Sequence, residues 1–415
     1  MSTILFGAIM FNLAEVTRMI EVAKALNPTH RAVIFGFEDD YVHLVTSSGF
    51  EYHALEPAWT TAEREQALRF DQGRSLRNPF TAAMVASRVE AERALIRATG
   101  ADAVVVGTNV TSMISARAEK VPLFYPVPFA LTGPHVKQTP HLGLVRGAGT
   151  LSRGLDRALT RAFRWVYTRA PLAPRSFSRV ARANGVPALR TIASLLEADH
   201  NLLTVMEPEL KGYTLPAGYE RVGPIFAHLD AQIPDIVHEL AARPEPLVYL
   251  GLGSSASRKL TLAVACQLGT LPVNVIAPVG HYVNDDDVLP ANIHVTPLLP
   301  AHELGGLIDA AVLHGGQGTV QTACATGVPF VGMGLQPEQT WNVAVCATQG
   351  NAIALSPRAG ATSALPDAVR RLLNEASFRE AAARVQREFS AEDGAKASAR
   401  YIEQRLSLAE SESNS

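Results

Sequence analysis

The stretch HGGQGT at residues 314–319 separates two segments of different pattern. The preceding residues, Ala310–Leu313, are all apolar and predict a buried strand, whereas Thr319–Thr326 predict a helix. A glycine-rich turn between a strand and a helix directs backbone N–H groups and the positive end of the helix dipole to one point. Such a point suits an anion, most often a phosphate. The stretch therefore predicts an α/β domain that binds phosphate.

Strand-like and helix-like patterns alternate through both halves of the chain. In the first half, an apolar pattern at Ile4–Ile9 precedes helical spacing at Leu13–Leu26. A second series starts at Leu247–Leu250, after a linker-like stretch at Arg221–Pro224. This alternation predicts a parallel, doubly wound sheet in each half, with ligands bound at the strand ends. The other predicted strands are His30–Phe35, Ala103–Val106, Val121–Tyr125, Val273–Ala277, Ile293–Val295, Ala310–Leu313 and Phe330–Gly332.

The composition is that of a globular protein without an extreme charge. A length of 415 residues favours two domains with a sizeable core. The net charge of −2 provides no general attraction for nucleic acid, and we expect no nucleic-acid partner. The three cysteines have neither the spacing of a metal site nor the number of a disulfide framework.

The start of the chain predicts a strand and lacks the basic leader of a signal peptide. No stretch approaches the roughly 18 consecutive apolar residues that a membrane-spanning helix needs. The sequence therefore favours a cytoplasmic location, with a peripheral membrane contact as a further possibility that depends on the basic segment described below.

Three further motifs follow the glycine turn in order. They are Gly327-Val328-Pro329, the pair Glu338 and Gln339, and Asn342. Together with residues 314–319, they resemble the UDP-glycosyltransferase superfamily, and most closely its bacterial natural-product branch, which includes macrolide and glycopeptide glycosyltransferases. The resemblance is strong over about residues 247–350 and weaker but collinear over the first half.

The resemblance implies a GT-B fold, in which two Rossmann-like, doubly wound parallel-sheet domains face each other across a cleft. Residues 1–222 would form the acceptor-binding domain and residues 223–390 the nucleotide-sugar-binding domain. Residues 391–415 would form a C-terminal helix that packs back on the first domain, followed by a disordered tail from Ser407.

The resemblance also implies a donor site in the second domain. His314 and the N–H groups of Gly316 to Thr319 would meet the diphosphate and stabilise the charge that grows on the leaving group. Glu338 and Gln339 would bind sugar hydroxyls, with Glu replacing the usual Asp. The predicted donor-binding residues are Ser254, Ser255, Leu298, His314, Gly315, Gly316, Gln317, Gly318, Thr319, Glu338, Gln339 and Asn342.

No cofactor or metal is expected, since the nucleotide sugar is a substrate and the fold holds its diphosphate with helix-end donors. The acidic run Asp285–Asp287 is interpreted as a solvated turn between two strands. Leu298 lies where many plant relatives have a tryptophan that stacks on the base, so we expect weaker stacking.

The first half departs from the family pattern at the acceptor. Relatives carry a catalytic His at the start of the first helix and an Asp after a later strand, whereas this chain has Glu15 and Gly107. Glu15 could be the catalytic base or a carboxylate that complements the helix dipole, and a sufficiently acidic acceptor would need little help. Asn12, Thr108 and Asn109 are predicted to lie on the acceptor side.

The resemblance implies an inverting hexosyltransferase. It would move a sugar from a UDP- or dTDP-sugar donor to a hydroxyl of a small-molecule or lipid-linked acceptor. The loss of the His/Asp pair leaves a catalytically degenerate nucleotide-sugar-binding protein as an alternative. A sugar-nucleotide epimerase of the same fold is a second alternative.

The segment 134–190 is strongly basic, with Asp156 as its one acid. Its aromatic residues are Phe163, Trp165, Tyr167 and Phe177. Its basic residues are Lys137, Arg146, Arg153, Arg157, Arg161, Arg164, Arg169, Arg175, Arg179, Arg182 and Arg190. This composition suits an anionic or lipid-linked acceptor or a membrane headgroup layer, and a solvated helical face is the alternative.

Overall fold

The computed structural model describes residues 1–71, 75, 78–145, 149–253, 256–284 and 286–413. The chain divides into two compact units. Unit 1 contains Met1–Ile225 and Asp393–Ser415, and unit 2 contains Phe226–Glu392. The sequence places these boundaries after residues 222 and 390.

Most of the secondary structure consists of short buried strands that alternate with helices. The strands are β1 Thr3–Gly7, β2 Arg31–Gly36, β3 Glu51–Ala54, β4 Ala103–Val106, β5 Leu123–Val127, β6 His200–Leu203, β7 Tyr219–Arg221, β8 Leu247–Gly251, β9 Asn274–Ala277, β10 Ile293–Val295, β11 Ala310–Leu313, β12 Phe330–Gly332 and β13 Ala352–Ala354.

Helices occupy the connections between these strands. They are α1 Leu13–Ala25, α2 Val42–Ser47, α3 Thr61–Asp71, α4 Ala82–Thr99, α5 Ser112–Ala118, α6 Gly133–Gln138, α7 Thr150–Thr168, α8 Arg175–Ala183, α9 Ile192–Leu195, α10 Asp235–Ala241, α11 Arg258–Leu268, α12 Gln317–Thr326, α13 Pro337–Gln349, α14 Pro357–Gly360, α15 Ala364–Asn374, α16 Ala376–Phe389 and α17 Gly394–Ser413. Short 3₁₀ turns lie at Phe129–Leu131, Glu207–Leu210, Gly280–Tyr282 and Ala301–Glu303. Within the described ranges, none of the helices has the length and apolar character needed to cross a membrane.

The sheet of unit 1 is parallel, with the strand order β3-β2-β1-β4-β5-β6-β7. Its central strands are apolar along their whole length because helices cover both faces, as in β4, whose four residues are all buried. The chain reverses its direction of progress between β1 and β4, where Gly7 pairs with Val106. A ligand crevice forms at such a switch point in an open α/β sheet.

Unit 2 repeats this plan with the parallel order β10-β9-β8-β11-β12-β13. The switch point lies between β8 and β11, where Gly251 pairs with Leu313. The glycine turn at 314–319 follows β11 directly, and it therefore lies at the ligand-binding edge of this sheet. The predicted pair of doubly wound parallel sheets is confirmed.

The C-terminal helix α17 belongs to the core of unit 1. Ala399, Ile402 and Leu406 are buried in the same cluster as residues of α1. The helix extends to Ser413, so the predicted disorder from Ser407 differs from the structure for the described part of the tail. The Ser407 hydroxyl donates to the Glu403 carbonyl within the helix at 3.0 Å.

Candidate active site

His314 follows β11 and turns its ring toward the neighbouring strand. Its Nδ1 lies 3.2 Å from the carbonyl oxygen of Gly251, the last residue of β8. A carbonyl only accepts hydrogen bonds, so Nδ1 carries the proton and Nε2 of the neutral ring is a bare acceptor. Burial lowers the pKa of His314 below its ordinary value of 6.5, and the Gly251 bond opposes part of that shift.

Two glycines enclose the imidazole ring. A Cβ atom at Gly253 would lie 2.8 Å from Cε1 of His314, and one at Gly316 would lie 2.4 Å from its Nε2. Real Cβ atoms essentially never come this close, so a side chain at either position would displace the ring. The glycines of this turn therefore fix the orientation of His314 as well as the course of the backbone.

Helix α12 begins at Gln317, two residues earlier than the predicted Thr319. Its first internal hydrogen bond runs from Val320 N–H to the Gly316 carbonyl at 3.0 Å. The amides of Gln317, Gly318 and Thr319 therefore precede the helical hydrogen-bond ladder and lie at the positive end of the helix dipole. Gln317 is buried, whereas Gly318 and Thr319 are half-buried.

Helix α13 is joined to the glycine turn by Asn342. Its Nδ2 donates to the Gly315 carbonyl at 3.0 Å and to Oε1 of Glu338 at 2.5 Å. Gly315 has a φ of +88°, and a Cβ there would lie 2.7 Å from the Gln339 carbonyl. Only glycine allows both this φ and this approach. Asn342 therefore holds the Glu338 carboxylate in register with the turn.

The two members of the predicted sugar-binding pair differ in accessibility. Glu338 is half-buried in the first turn of α13. Gln339 is buried, and its Oε1 accepts a hydrogen bond from Leu335 N–H at 3.0 Å. Glu338 is thus the member better placed to meet a ligand, and Gln339 also supports the loop that precedes the helix.

Of the remaining predicted donor residues, the structure describes Leu298, on the loop after β10. Leu298 is 52% exposed. Ser254 and Ser255 lie outside the described residues. The Tyr282 hydroxyl, in the turn after β9, donates to the carbonyls of Gly253 at 2.7 Å and Ala256 at 3.1 Å. The Tyr282 hydroxyl thus holds the two described residues that flank positions 254 and 255, a role that no pattern in the sequence indicates.

The acidic run after β9 has an ion-pair partner in part. Asp287 lies 2.5 Å from Arg258 and accepts a hydrogen bond from Asn284 N–H at 2.7 Å. Asp285 lies outside the described residues, and Asp286 is exposed. These contacts are those of a surface turn, with one hydrogen bond inside the turn and one ion pair to α11.

Glu15 occupies the switch point of unit 1. One carboxylate oxygen accepts a hydrogen bond from Ile9 N–H at 2.8 Å, and the other accepts from the Thr108 hydroxyl at 2.6 Å. The Thr108 backbone N–H also bonds to this carboxylate. The side chain is buried, and burial raises the pKa of Glu15 above its ordinary value, with these hydrogen bonds opposing the shift. Glu15 thereby joins the loop after β1 to the loop after β4.

Gly107 leaves the space that this carboxylate fills. A Cβ at Gly107 would lie 2.1 Å from both Cδ and Oε1 of Glu15. Glu15 therefore reaches into the volume that a side chain at residue 107 would take. Positions 15 and 107 therefore share one volume, which the carboxylate at 15 fills and the glycine at 107 leaves open.

The other predicted acceptor-side residues do not form one group. Asn12 is exposed at the start of α1, and Thr108 is half-buried beside Glu15. Asn109 is buried and donates to Glu92 of α4 at 3.1 Å. Glu92 also accepts from Thr111 and Ser115, and burial raises its pKa. Asn109 thus belongs to a buried polar network, and its position after β4 alone gave no sign of this.

Known proteins resemble this chain in sequence and in fold. Residues 263–403 match the family model described as erythromycin biosynthesis protein CIII-like, C-terminal domain. The chain is 27% identical to a PGL/p-HBAD biosynthesis glycosyltransferase of Mycobacterium tuberculosis over 394 residues, covering 93% of this chain and 88% of that protein. This chain is a glycosyltransferase of the GT-B fold.

Solved structures resemble the glycosyltransferase along nearly its whole length. The glycosyltransferase SnogD from Streptomyces nogalater has a TM-score of 0.65 at 21% identity, covering 97% of this chain and 99% of that one. Glycosyltransferase VinC, solved in complex with dTDP, has a TM-score of 0.67 at 20% identity, covering 98% and 100%. At these identities the likeness shows the fold, and the predicted resemblance to natural-product glycosyltransferases is confirmed.

Replacing Asn342 with aspartate in this glycosyltransferase tests the link between the turn and α13. The change puts a carboxylate opposite two acceptors, the Gly315 carbonyl and Glu338. We expect the free energy of unfolding to fall by about 1–3 kcal/mol, since a buried donor is replaced by an unsatisfied acceptor. The rate at which the enzyme turns over the nucleotide sugar should fall as well. Urea denaturation and initial rates would measure both effects, and Asn374→Asp at an exposed helix end is the matched control. Equal behaviour of the two variants would contradict the assigned link.

Proposed function

We propose that the enzyme transfers a sugar, with inversion, from a UDP- or dTDP-sugar to an acceptor hydroxyl. The observation that carries the proposal is the turn after β11, where an imidazole and the first amides of α12 converge at the switch point of the sheet. The dTDP bound to VinC supports a pyrimidine nucleotide as donor.

The diphosphate is proposed to bind at this turn. Bond cleavage at the anomeric carbon leaves an additional negative charge on the departing nucleotide. Preorganised donors aimed at that charge stabilise the transition state more than the ground state. The groups available for this task are the amides of Gln317 to Thr319 and, once it has gained a proton, Nε2 of His314. The acceptor oxygen attacks the anomeric carbon from the side opposite the diphosphate while the bond to the diphosphate breaks, which inverts the anomeric configuration, and the acceptor's proton is released to solvent.

The sugar is proposed to lie beside Glu338. Asn342 donates one hydrogen bond to this carboxylate and fixes its orientation. The remaining lone pairs of the carboxylate can therefore accept hydrogen bonds from sugar hydroxyls. Glu is one methylene longer than the Asp usual in relatives. We therefore infer a different position or pattern of sugar hydroxyls from that used by Asp-containing relatives.

Glu15 is proposed to position the acceptor loops rather than to act as the base. Its two oxygens already accept from Ile9 and Thr108, and the carboxyl group is buried. Transfer would then favour an acceptor that loses its proton easily, such as a phenol, whose pKa near 10 lies far below that of an alcohol. A graded series of phenols should show turnover that rises steeply as phenol acidity increases.

The proposed function is tested with one donor panel and one product analysis. Thermal shift against UDP-, dTDP- and GDP-sugars identifies the donor, since a ligand that binds only the folded state raises its stability. NMR of the product from that donor should show inverted anomeric configuration. Retained configuration would refute inversion. Donor binding without any product would favour the degenerate binding protein, and an epimerised nucleotide sugar would favour the epimerase.

A further inference from the structure

Helix α7 of unit 1 carries its polar residues inward. The Asp156 carboxylate accepts from Val145 N–H at 3.0 Å, and the Thr160 hydroxyl accepts from Leu142 N–H at 3.1 Å. Arg164 donates to the Thr139 carbonyl at 2.8 Å. The Tyr167 hydroxyl donates to the Leu131 carbonyl at 2.8 Å. Polar contacts therefore hold the inner side of this helix to the domain.

The outward side of α7 is apolar. Leu151, Leu155, Leu159 and Phe163 recur every fourth residue, a spacing that places them along one helical face. Leu151 is 89% exposed and Leu155 is 53% exposed, and the nearby Trp165 is 57% exposed. A surface helix normally turns its apolar stripe to the core, so the polarity of α7 is reversed. A continuous exposed apolar line on a helix marks a binding surface, whereas single exposed residues do not.

A line of positive charge runs along the other side of α7, about 200° round the helix from the leucines. Arg153, Arg157 and Arg161 follow the same four-residue spacing and are all exposed. Asp156, the one acid of segment 134–190, is buried. Further exposed arginines on α8 and its flanks are Arg169, Arg175, Arg179, Arg182 and Arg190. Because the whole chain has a net charge of −2, this charge is concentrated on one part of unit 1.

We propose that the outward face of α7 docks the enzyme on an anionic membrane surface. A helix that lies in the membrane interface buries Leu, Phe and Trp at the boundary of headgroups and acyl chains, while its arginines contact anionic headgroups. A second copy of this chain would cover the apolar line but would leave the exposed arginines on the other side of the helix facing water. The charge pattern thus selects an anionic surface over self-association.

Vesicle binding by the full-length enzyme tests this proposal. The probes are vesicles of phosphatidylcholine and vesicles of an equal mixture of phosphatidylcholine and phosphatidylglycerol. We expect co-sedimentation with the anionic vesicles at low salt and weaker binding at high salt. Trp165 is a built-in reporter, since Trp59 is buried and Trp341 half-buried. Tryptophan emission should shift to the blue with anionic vesicles, and Trp165→Phe should remove that shift while retaining co-sedimentation.

Two variants separate the contributions of the face. The double variant Leu155→Gln with Leu159→Gln should weaken vesicle binding by about tenfold or more, because it removes two leucines that the membrane would bury. Leu408→Gln, at a leucine of the same 53% exposure on α17, should leave binding unchanged. Arg153→Gln, Arg157→Gln and Arg161→Gln together should remove the preference for anionic vesicles. The same triple change at the exposed Arg379, Arg384 and Arg387 of α16 should not.

Three outcomes would overturn the proposal. One is no binding to anionic vesicles at low salt. Another is equal binding by the leucine double variant and the Leu408 control, with both folded by circular dichroism. A third is a concentration-dependent dimer that the leucine double variant dissociates, which would assign the face to a second copy of the chain.

Discussion

Replacing His314 with alanine is expected to lower kcat/KM for the nucleotide sugar by about 10²–10³-fold, the usual loss when one preorganised donor at a developing negative charge is removed. The reason lies in the position of the ring, which Gly251, Gly253 and Gly316 hold at the end of β11. Stability should change little, because the ring is half-buried and makes one hydrogen bond to backbone. Initial rates and urea denaturation measure the two effects. His238→Ala, at an exposed histidine of α10, is the control and should retain full activity.

The protonation of His314 gives this prediction a second readout. Burial lowers the pKa of the free ring, so at pH 7 the ring is neutral with its proton on Nδ1. Nε2 can donate to a phosphate oxygen only after it gains a proton. Binding of dTDP or UDP should therefore take up a proton. Over the pH range in which the free ring is neutral and the bound ring is charged, the affinity for the nucleotide should fall about tenfold for each unit by which the pH rises.

Calorimetry of nucleotide binding in buffers of different ionisation enthalpy measures this proton uptake. The nucleotide has its own titration, so the informative quantity is the difference between the wild type and His314→Ala. An unchanged proton uptake in the variant would show that His314 does not meet the diphosphate.

Replacing Gly107 with alanine is expected to lower stability more than His314→Ala or Asn342→Asp does. The new Cβ would overlap the Glu15 carboxyl group and push it away from Ile9 and Thr108. Overpacking costs about 1–3 kcal/mol. Each buried donor that loses its partner adds about 1–3 kcal/mol. Urea denaturation measures the change, and Gly154→Ala, where a Cβ meets no atom within 4 Å, should be neutral or slightly stabilising.

A double-mutant cycle tests whether positions 15 and 107 share one volume. Gly107→Asp alone should be severely destabilising, since it places two acids in the same buried space. Combining it with Glu15→His recreates the family pair and should restore part of the lost stability, with a coupling energy of about 0.5–3 kcal/mol. Additive effects of the two changes would contradict the shared volume that we infer.

Glu15→Gln distinguishes the two roles that the sequence leaves open. A general base contributes about 10²–10⁴-fold to rate, so its loss would lower kcat while stability stays near that of the wild type. A positioning residue would instead lower stability and leave kcat for an acidic phenol largely intact. The buried contacts of Glu15 lead us to expect the second result.

The sequence predicts the fold well because the two features that indicate it, apolar strands and a glycine turn, can each be recognised within a short stretch of residues. Fully apolar stretches such as Ala103–Val106 and Ala310–Leu313 mark buried parallel strands, and the glycine turn marks the switch point of unit 2. Strands β3, β6, β7 and β13 were not predicted. The edge strands β3, β7 and β13 are short and only partly buried, and β6 begins with two polar residues, His200 and Asn201, so their composition carries little periodic signal.

The site could be predicted only where backbone geometry dictates chemistry. The glycine turn and its histidine are visible because glycine is required there. Glu15 and Gly107 appear in the sequence as two unexplained departures, and only the position of the carboxyl group joins them. The burial of Asn109 and the reversed polarity of α7 depend on which side of an element meets the domain, and spacing alone does not fix that side.

A crystal structure of the enzyme with dTDP or UDP bound tests the central claim most directly. We expect diphosphate oxygens within hydrogen-bond distance of His314 Nε2 and of the amides of Gln317 to Thr319, with the terminal phosphate directed toward Glu338. A nucleotide bound elsewhere, or a turn filled by side chains of the protein itself, would contradict it.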